Sequence, residues 1–131
     1  MKVLVLDDDM ARHQAFANNL ARNDVTHADS YDRAVKALQD QDRFDVVFLD
    51  HDLNDFGLKS IGPSDSMYGG ARELTGNDVA RFIAKALPKK KRPKMVVVHS
   101  INYDGSMNIV STLKAAGIPV RREPFHTEIR L

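Results

Sequence analysis

Three short apolar runs, each ending abruptly in polar residues, constrain the fold of this chain more than any other feature. Lys2–Leu6 (KVLVL) runs into Asp7-Asp8-Asp9, Asp45–Asp50 (DVVFLD) ends in acid, and Met95–Val98 (MVVV) stops at His99-Ser100. Runs rich in Val and Leu that do not alternate with polar residues suit strands covered on both faces, the condition of a parallel sheet. Parallel strands need crossovers, and the intervening segments supply them by changing period. Met10–Arg22 places His13, Phe16, Ala17 and Leu20 at i, i+3, i+4 and i+7, one stripe of a helix, with Asp9 available as its N-cap.

The rest of the chain continues the alternation. A short strand is expected at Val25–Ala28, and Ser30 can cap a second helix with Ala34, Val35 and Leu38 as its apolar face. Thr75 opens a third helix, carrying Val79, Phe82, Ile83 and Ala86 at helical spacing until Pro88 ends it. Met107, Val110 and Leu113 stripe a fourth helix closed by Gly117, and Ile118–Arg121 is a fifth strand. Right-handed crossovers then place helices on both faces of a mostly parallel sheet, an α/β fold. At 131 residues the favoured form is a single flavodoxin-like domain spanning residues 1–131, with a five-stranded sheet in the order 2-1-3-4-5. Glu123–Leu131 is too short for a full fifth helix. His51–Leu74 shows no sustained period and is rich in Gly, Pro and Ser from Gly57 to Gly70, so it reads as a long loop inserted at about 54–74.

Composition narrows the function classes. Nineteen Lys and Arg against eighteen Asp and Glu argue against a broadly basic nucleic-acid coat, and no sequence-specific DNA binding is expected. The absence of cysteine removes disulfides, thiolate zinc sites and cysteine nucleophiles together. MKVLVLDDD is too short in apolar residues for a signal peptide or a membrane span, so a soluble, cytoplasmic protein without membrane contact is the expectation. Lys89–Lys94 packs five cations into six residues and reads as a solvated helix-to-strand connection. No heptad seam or unexplained apolar helix face fixes an oligomeric state.

In open parallel sheets, ligands bind beyond the carboxyl ends of the strands, at the switch point between strands one and three. The unusual residues of this chain fall at those ends: Asp7, Asp8 and Asp9 after strand one, Asp50, His51 and Asp52 after strand three, and His99, Ser100 and Asn102 after strand four. Carboxylates gathered in one crevice repel unless a cation compensates them, and a divalent metal on Asp7, Asp8 and Asp50 would do so. All-oxygen ligation suits Mg²⁺, and recruitment of His51 or His99 suits Mn²⁺. The plainer alternative makes Asp9 a helix cap and the other acids solvated strand ends. His99 and His51 are candidate proton carriers, and Asp52 can orient a histidine. Ser100 and Asn102 can donate to a phosphate; Gly105, Ser106 and Asn108 at the start of helix four, and Thr75 and Gly76 at the start of helix three, offer helix N-termini to an anion. Arg121 and Arg122 lie nearest the functional edge among the later cations, and alternation turns one of them inward.

Leu6-Asp7-Asp8-Asp9 and Leu49-Asp50 resemble the acidic pair and phospho-accepting Asp of response-regulator receiver domains. Receivers carry Lys-Pro after strand five, where this chain has Glu123-Pro124. Leu49-Asp50-His51-Asp52-Leu53, Thr75-Gly76-Asn77-Asp78-Val79 and His99 through Ile109 (HSINYDGSMNI) are more similar to a receiver-derived family, the cyclic-phosphate processing receiver domains. That resemblance implies a metal-dependent phosphoesterase acting on a cyclic phosphate, either an RNA 2′,3′-cyclic phosphate end or a cyclic nucleotide. In such a reaction His99 and His51 would move protons and the metal would polarise the phosphoryl group. Two other readings remain open: a non-catalytic module that sequesters a cyclic nucleotide, and a receiver phosphorylated at Asp50.

Overall fold

A computed structural model describes residues 1–50, 76–99 and 103–123. The expected loop insertion at about 54–74, and with it Thr75, His51, Asp52, Ser100 and Asn102, lie outside the described residues. The elements run β1 (Lys2–Leu6), α1 (Met10–Asn19), β2 (Asp24–Ala28), α2 (Tyr31–Asp40), β3 (Val46–Leu49), α3 (Gly76–Lys85), a 3₁₀ turn at Lys89–Lys91, β4 (Met95–Val98), α4 (Tyr103–Ala115) and β5 (Val120–Arg122). The five strands form one parallel sheet in the order β2-β1-β3-β4-β5, the flavodoxin-like arrangement expected from the sequence.

Alternation along the central strands sorts their side chains onto two faces. Leu4, Leu6, Val47, Leu49, Val96 and Val98 pack with α2, α3 and α4 through Ala34, Leu38, Val79, Ile83, Ile109 and Leu113. Val3, Val5, Val46, Phe48 and Val97 face the other way, onto Phe16 and Leu20. Double coverage is why these strands are continuous apolar runs rather than alternating ones.

The ends of the elements follow from local chemistry. Asp9 caps α1, its carboxylate accepting from the amides of Ala11 (2.8 Å) and Arg12 (3.2 Å), and Ser30 caps α2 through the Arg33 amide. At the end of α4, Gly117 adopts φ 77°. Its amide bonds to the Lys114 carbonyl and the Ile118 amide to the Leu113 carbonyl, with Ile118 and Leu113 meeting in the core, a Schellman closure.

Several boundaries and one buried stripe differ from the sequence expectation. Helix α1 ends at Asn19 rather than Arg22, because the Leu20 and Asn23 amides turn the chain back toward β2. Strand β2 starts one residue early at Asp24, whose amide bonds to the Met1 carbonyl. Strand β5 starts at Val120 rather than Ile118, since the closure of α4 uses the Ile118 amide and Pro119 has no N–H for a ladder. On α4 the buried stripe is Ser106, Ile109, Val110 and Leu113, whereas Met107 is 37% exposed. Among the described residues, no helix is long and apolar enough to cross a membrane.

Candidate functional site

Each central strand is extended by one residue that still bonds to its neighbour. The Asp7 amide donates to the Ala28 carbonyl, the Asp50 amide to Leu6, the His99 amide to Leu49 and the Glu123 amide to Val98. Asp7, Asp50 and His99 therefore stand side by side on adjacent strands. Each also follows a residue facing α2–α4, so alternation turns all three onto the α1 face. Their potential ligand atoms lie within 4.8 Å of one another, and all three residues are buried.

Buried carboxylates this close require positive charge, and Arg12, in the first turn of α1, provides it. Its Nε and Nη2 donate to the two oxygens of Asp7 at 2.6 and 2.8 Å, a bidentate fork, and Nη2 also reaches Asp50 at 3.2 Å. The same guanidinium lies 3.7 Å from Asp8 and 3.6 Å from Asp9. His99 donates Nε2–H to Asp7 at 2.8 Å, with its ring edge-on to Phe16 at 5.3 Å. Asp7 also accepts the Asp9 amide at 2.9 Å, so its two oxygens take four hydrogen bonds, the capacity of an ionised carboxylate. Burial would raise the Asp7 carboxyl, but the hydrogen bonds from His99, Arg12 and the Asp9 amide outweigh it and hold it at about 2. Asp7 is thus ionised at neutral pH, and its charge fixes the proton of His99 on Nε2. Arg12 is in turn pushed above its ordinary value by the hydrogen bond to Asp7, against the opposing effect of burial.

The donor set suits a divalent cation. The two carboxylates can hold a metal ion through oxygen, which suits Mg²⁺, while the His99 nitrogen beside them carries the proton bonded to Asp7 and would join a metal such as Mn²⁺ only after losing it. Asp8, at 12% side-chain exposure, borders the same guanidinium.

The other sequence candidates are distributed more widely. Gly76 and Gly105 lie at the starts of α3 and α4. Ser106 is fully buried on α4, and Asn108 is exposed on that helix. Arg121 is exposed and paired with Glu123 at 3.1 Å, while Arg122 is half-buried. Arg12 escaped sequence reading, although a cation in the first turn of a helix opposes the helix dipole and was a readable signal. A second missed pairing lies on the far side of Asp7. His13 donates Nε2–H to the Asp7 carbonyl at 2.6 Å and meets His27 Nδ1 to Nδ1 at 2.7 Å. The pair borders a cleft of about 350 Å³ with Met10, Asp29 and Arg33. Burial, then the charge of His13, lower the His27 pKa.

Comparison with known proteins speaks to the fold and the family. The chain is 29% identical over 88 residues to the Detocs response regulatory protein DtcB of Enterobacter cloacae strain JD6301, covering 64% of this chain and 57% of that protein. The chain thus spans little more than half the length of this relative. A response regulator receiver protein from Pseudomonas putida superposes with a TM-score of 0.61 at 19% identity, over 90% of this chain and 80% of the other. The Francisella response regulator 1452 receiver domain does so with a TM-score of 0.63 at 20% identity, over 97% and 87%. At such identities the superpositions speak for the fold. Residues 1–115 match the cyclic-phosphate processing receiver domain, and the chain belongs to that family.

Proposed function

We propose that this domain is a phosphate-handling receiver in which Asp50 accepts a phosphoryl group. The observation that carries the reading is the position of Asp50: buried, at the carboxyl end of the central strand β3, beside Asp7 and His99 and 3.2 Å from the Arg12 guanidinium. An Asp50 oxygen attacks the phosphorus of a small phosphoryl donor, a new O–P bond forms, and the bond to the donor's leaving oxygen breaks. A divalent metal held by Asp7, Asp8 and Asp50 would supply charge neutralisation on the phosphoryl oxygens. This chain has Glu123, not lysine, beyond β5, and among the described residues the cation that meets Asp7 and Asp50 is Arg12. The kinship with a response regulatory protein supports the same reading.

A second reading rests on His99, a buried imidazole hydrogen-bonded to an ionised aspartate. In it the site hydrolyses a cyclic phosphate on a nucleotide or RNA end. Water adds to phosphorus, one ring P–O bond breaks, and His99 serves the proton transfers. The family's description favours this substrate class.

One experiment separates the two. The protein is incubated with Mg²⁺ or Mn²⁺ and either acetyl phosphate or a panel of 2′,3′-cyclic-phosphate RNA ends and cyclic nucleotides, with intact-mass readout. Gain of one phosphoryl group by the protein, absent in Asp50→Asn, is the expected result. Gain of one water by a cyclic phosphate, lost in His99→Ala, would transfer the conclusion to the second reading. A cyclic nucleotide retained unchanged would make the domain a binding module.

A further inference from the structure

The four hydrogen bonds on Asp7 leave its carboxylate no capacity for another partner while Arg12 is in place. Two of the four come from the guanidinium, which also bridges to Asp50 and borders Asp8. Arg12 thus touches every acid that the metal reading assigns as a ligand. We propose that Arg12 is a tethered competitor for the divalent cation: it closes the acidic cleft in the metal-free protein, and metal binding requires its fork to leave Asp7. This inference rests on the metal site of the proposed function.

The geometry argues for displacement rather than coexistence. A guanidinium at 2.6 and 2.8 Å saturates one face of the Asp7 carboxylate, and a dication needs those lone pairs, at a shorter distance. Like charges in a buried cleft also repel far more strongly than they do in water. The remaining Asp7 donors, His99 and the Asp9 amide, hold the carboxylate in place whether or not Arg12 is on it. Arg12 is one-third exposed and sits in the first turn of α1, with solvent available to receive the displaced side chain. The device makes the acids tolerable without metal and sets the affinity for metal by the strength of the fork.

The test is titration with Mn²⁺, followed by electron paramagnetic resonance of the free ion, on wild type, Arg12→Gln and Arg12→Lys. Arg12→Gln should bind at least tenfold more tightly, equivalent to about 1.4 kcal/mol. Arg12→Lys keeps the charge but loses the planar fork, so it should also bind more tightly than wild type, by a smaller factor. It guards as well against a folding defect in the neutral variant. In wild type, the Arg12 Nε–H resonance should exchange slowly with solvent in the metal-free state and lose that protection on addition of Mg²⁺. Equal or weaker Mn²⁺ binding by both variants, with binding by wild type intact, would overturn the competition and leave the metal site standing. Retention of Nε–H protection at saturating Mg²⁺ would do the same. Absence of Mn²⁺ binding in all three proteins would overturn the metal site and the competition together.

Discussion

Both edges of the sheet carry aspartates and cations, and they hold them in opposite ways. At the amino edge, Lys94 pairs with Asp45 at 3.1 Å and Lys2 with Asp24 at 3.4 Å, one cation to one acid, with Lys94 and Asp24 largely exposed. Backbone groups share the work: the Lys2 amide donates to Asp45, and the Asp45 amide to the Lys2 carbonyl. At the carboxyl edge, among the described residues, the Arg12 guanidinium lies against Asp7, Asp8, Asp9 and Asp50 together, and the two acids it binds most closely are buried. Wet charges paired one to one close strand ends; dry acids drawn together on neighbouring strands are the arrangement on which the proposed metal and phosphoryl chemistry rests. What distinguishes the carboxyl edge is therefore the gathering of several acids around one shared guanidinium, in a place where water screens them poorly.

The sharpest way to break this comparison is to neutralise one aspartate at each edge. Asp50→Asn should abolish phosphoryl incorporation, a loss limited only by detection, whereas Asp45→Asn should leave it at the wild-type level, as read by intact mass after incubation with acetyl phosphate and Mg²⁺. Loss in both variants would mean that the two edges are not functionally distinct. Asp7→Asn is the corresponding stability test. It removes the negative charge and one of the two acceptor oxygens that the Arg12 fork and His99 share, and breaking a buried pair from one side costs about 3 kcal/mol. Urea unfolding should show that loss, and an unchanged midpoint would place the weight of the network elsewhere.

Acid should dissect the same edge. The Asp7 carboxyl sits at about 2 in the folded protein, below the ordinary aspartate value of 3.8. A carboxyl whose value is depressed by folding contributes stability fully present above its unfolded value, and that contribution fades as pH falls toward the folded one. The expected loss is about 2 kcal/mol between roughly pH 4 and pH 2, and Asp7→Asn should flatten that part of the profile. A profile as steep in the variant as in wild type would contradict the assignment.

Next in size come Lys91 and Arg92 of the basic run, which bind backbone carbonyls. Arg92 Nη2 donates to the Ala84 carbonyl in the last turn of α3 at 2.8 Å, and Lys91 Nζ to the Gln41 carbonyl just past α2 at 2.6 Å. Both therefore satisfy carbonyls at helix C-terminal ends, where positive charge also complements the dipole. Arg92→Ala should cost about 1 to 2 kcal/mol in thermal or urea unfolding with no change in Mn²⁺ affinity. A change in metal affinity would tie the two edges together and defeat the comparison.

The sequence made one layer of this site legible and hid another. Apolar runs ending in Asp7, Asp50 and His99 identified three strand ends, and the rule that parallel sheets bind ligands at their carboxyl edge brought those ends together. That all three side chains share the α1 face depended on pairing Leu6 with Leu49 and Leu49 with Val98, a register no single run reveals. Arg12 was hidden for a different reason. By period alone it lies beside the buried stripe of α1, where an arginine is usually a solvated helix face, and its partner Asp50 is 38 residues away. The same lack of long-range information let His13 read as an ordinary core position, although its ring joins the Asp7 carbonyl to His27. Met107 was misplaced on α4 because its apolar character outweighed Ser106, whose small side chain fits the buried position.

The smallest effect belongs to Lys94, and it is the strictest test of the contrast between wet and dry charges. Its ammonium is 3.1 Å from Asp45, close enough to count as an ion pair, yet its side chain is 61% exposed. The Asp45 pKa is lowered first by the hydrogen bond from the Lys2 amide and only then by Lys94, so the carboxylate keeps its main partner when the lysine is removed. Water and salt screen what remains, and holding a long flexible side chain in one place offsets part of the attraction. Lys94→Gln should therefore leave the melting midpoint within experimental scatter at physiological ionic strength, with any difference from wild type shrinking further as salt is added. A larger loss that persists in high salt would mean that the amino edge is also dry enough for charge to matter, and burial could then no longer explain the contrast between the paired acids of one edge and the clustered acids of the other.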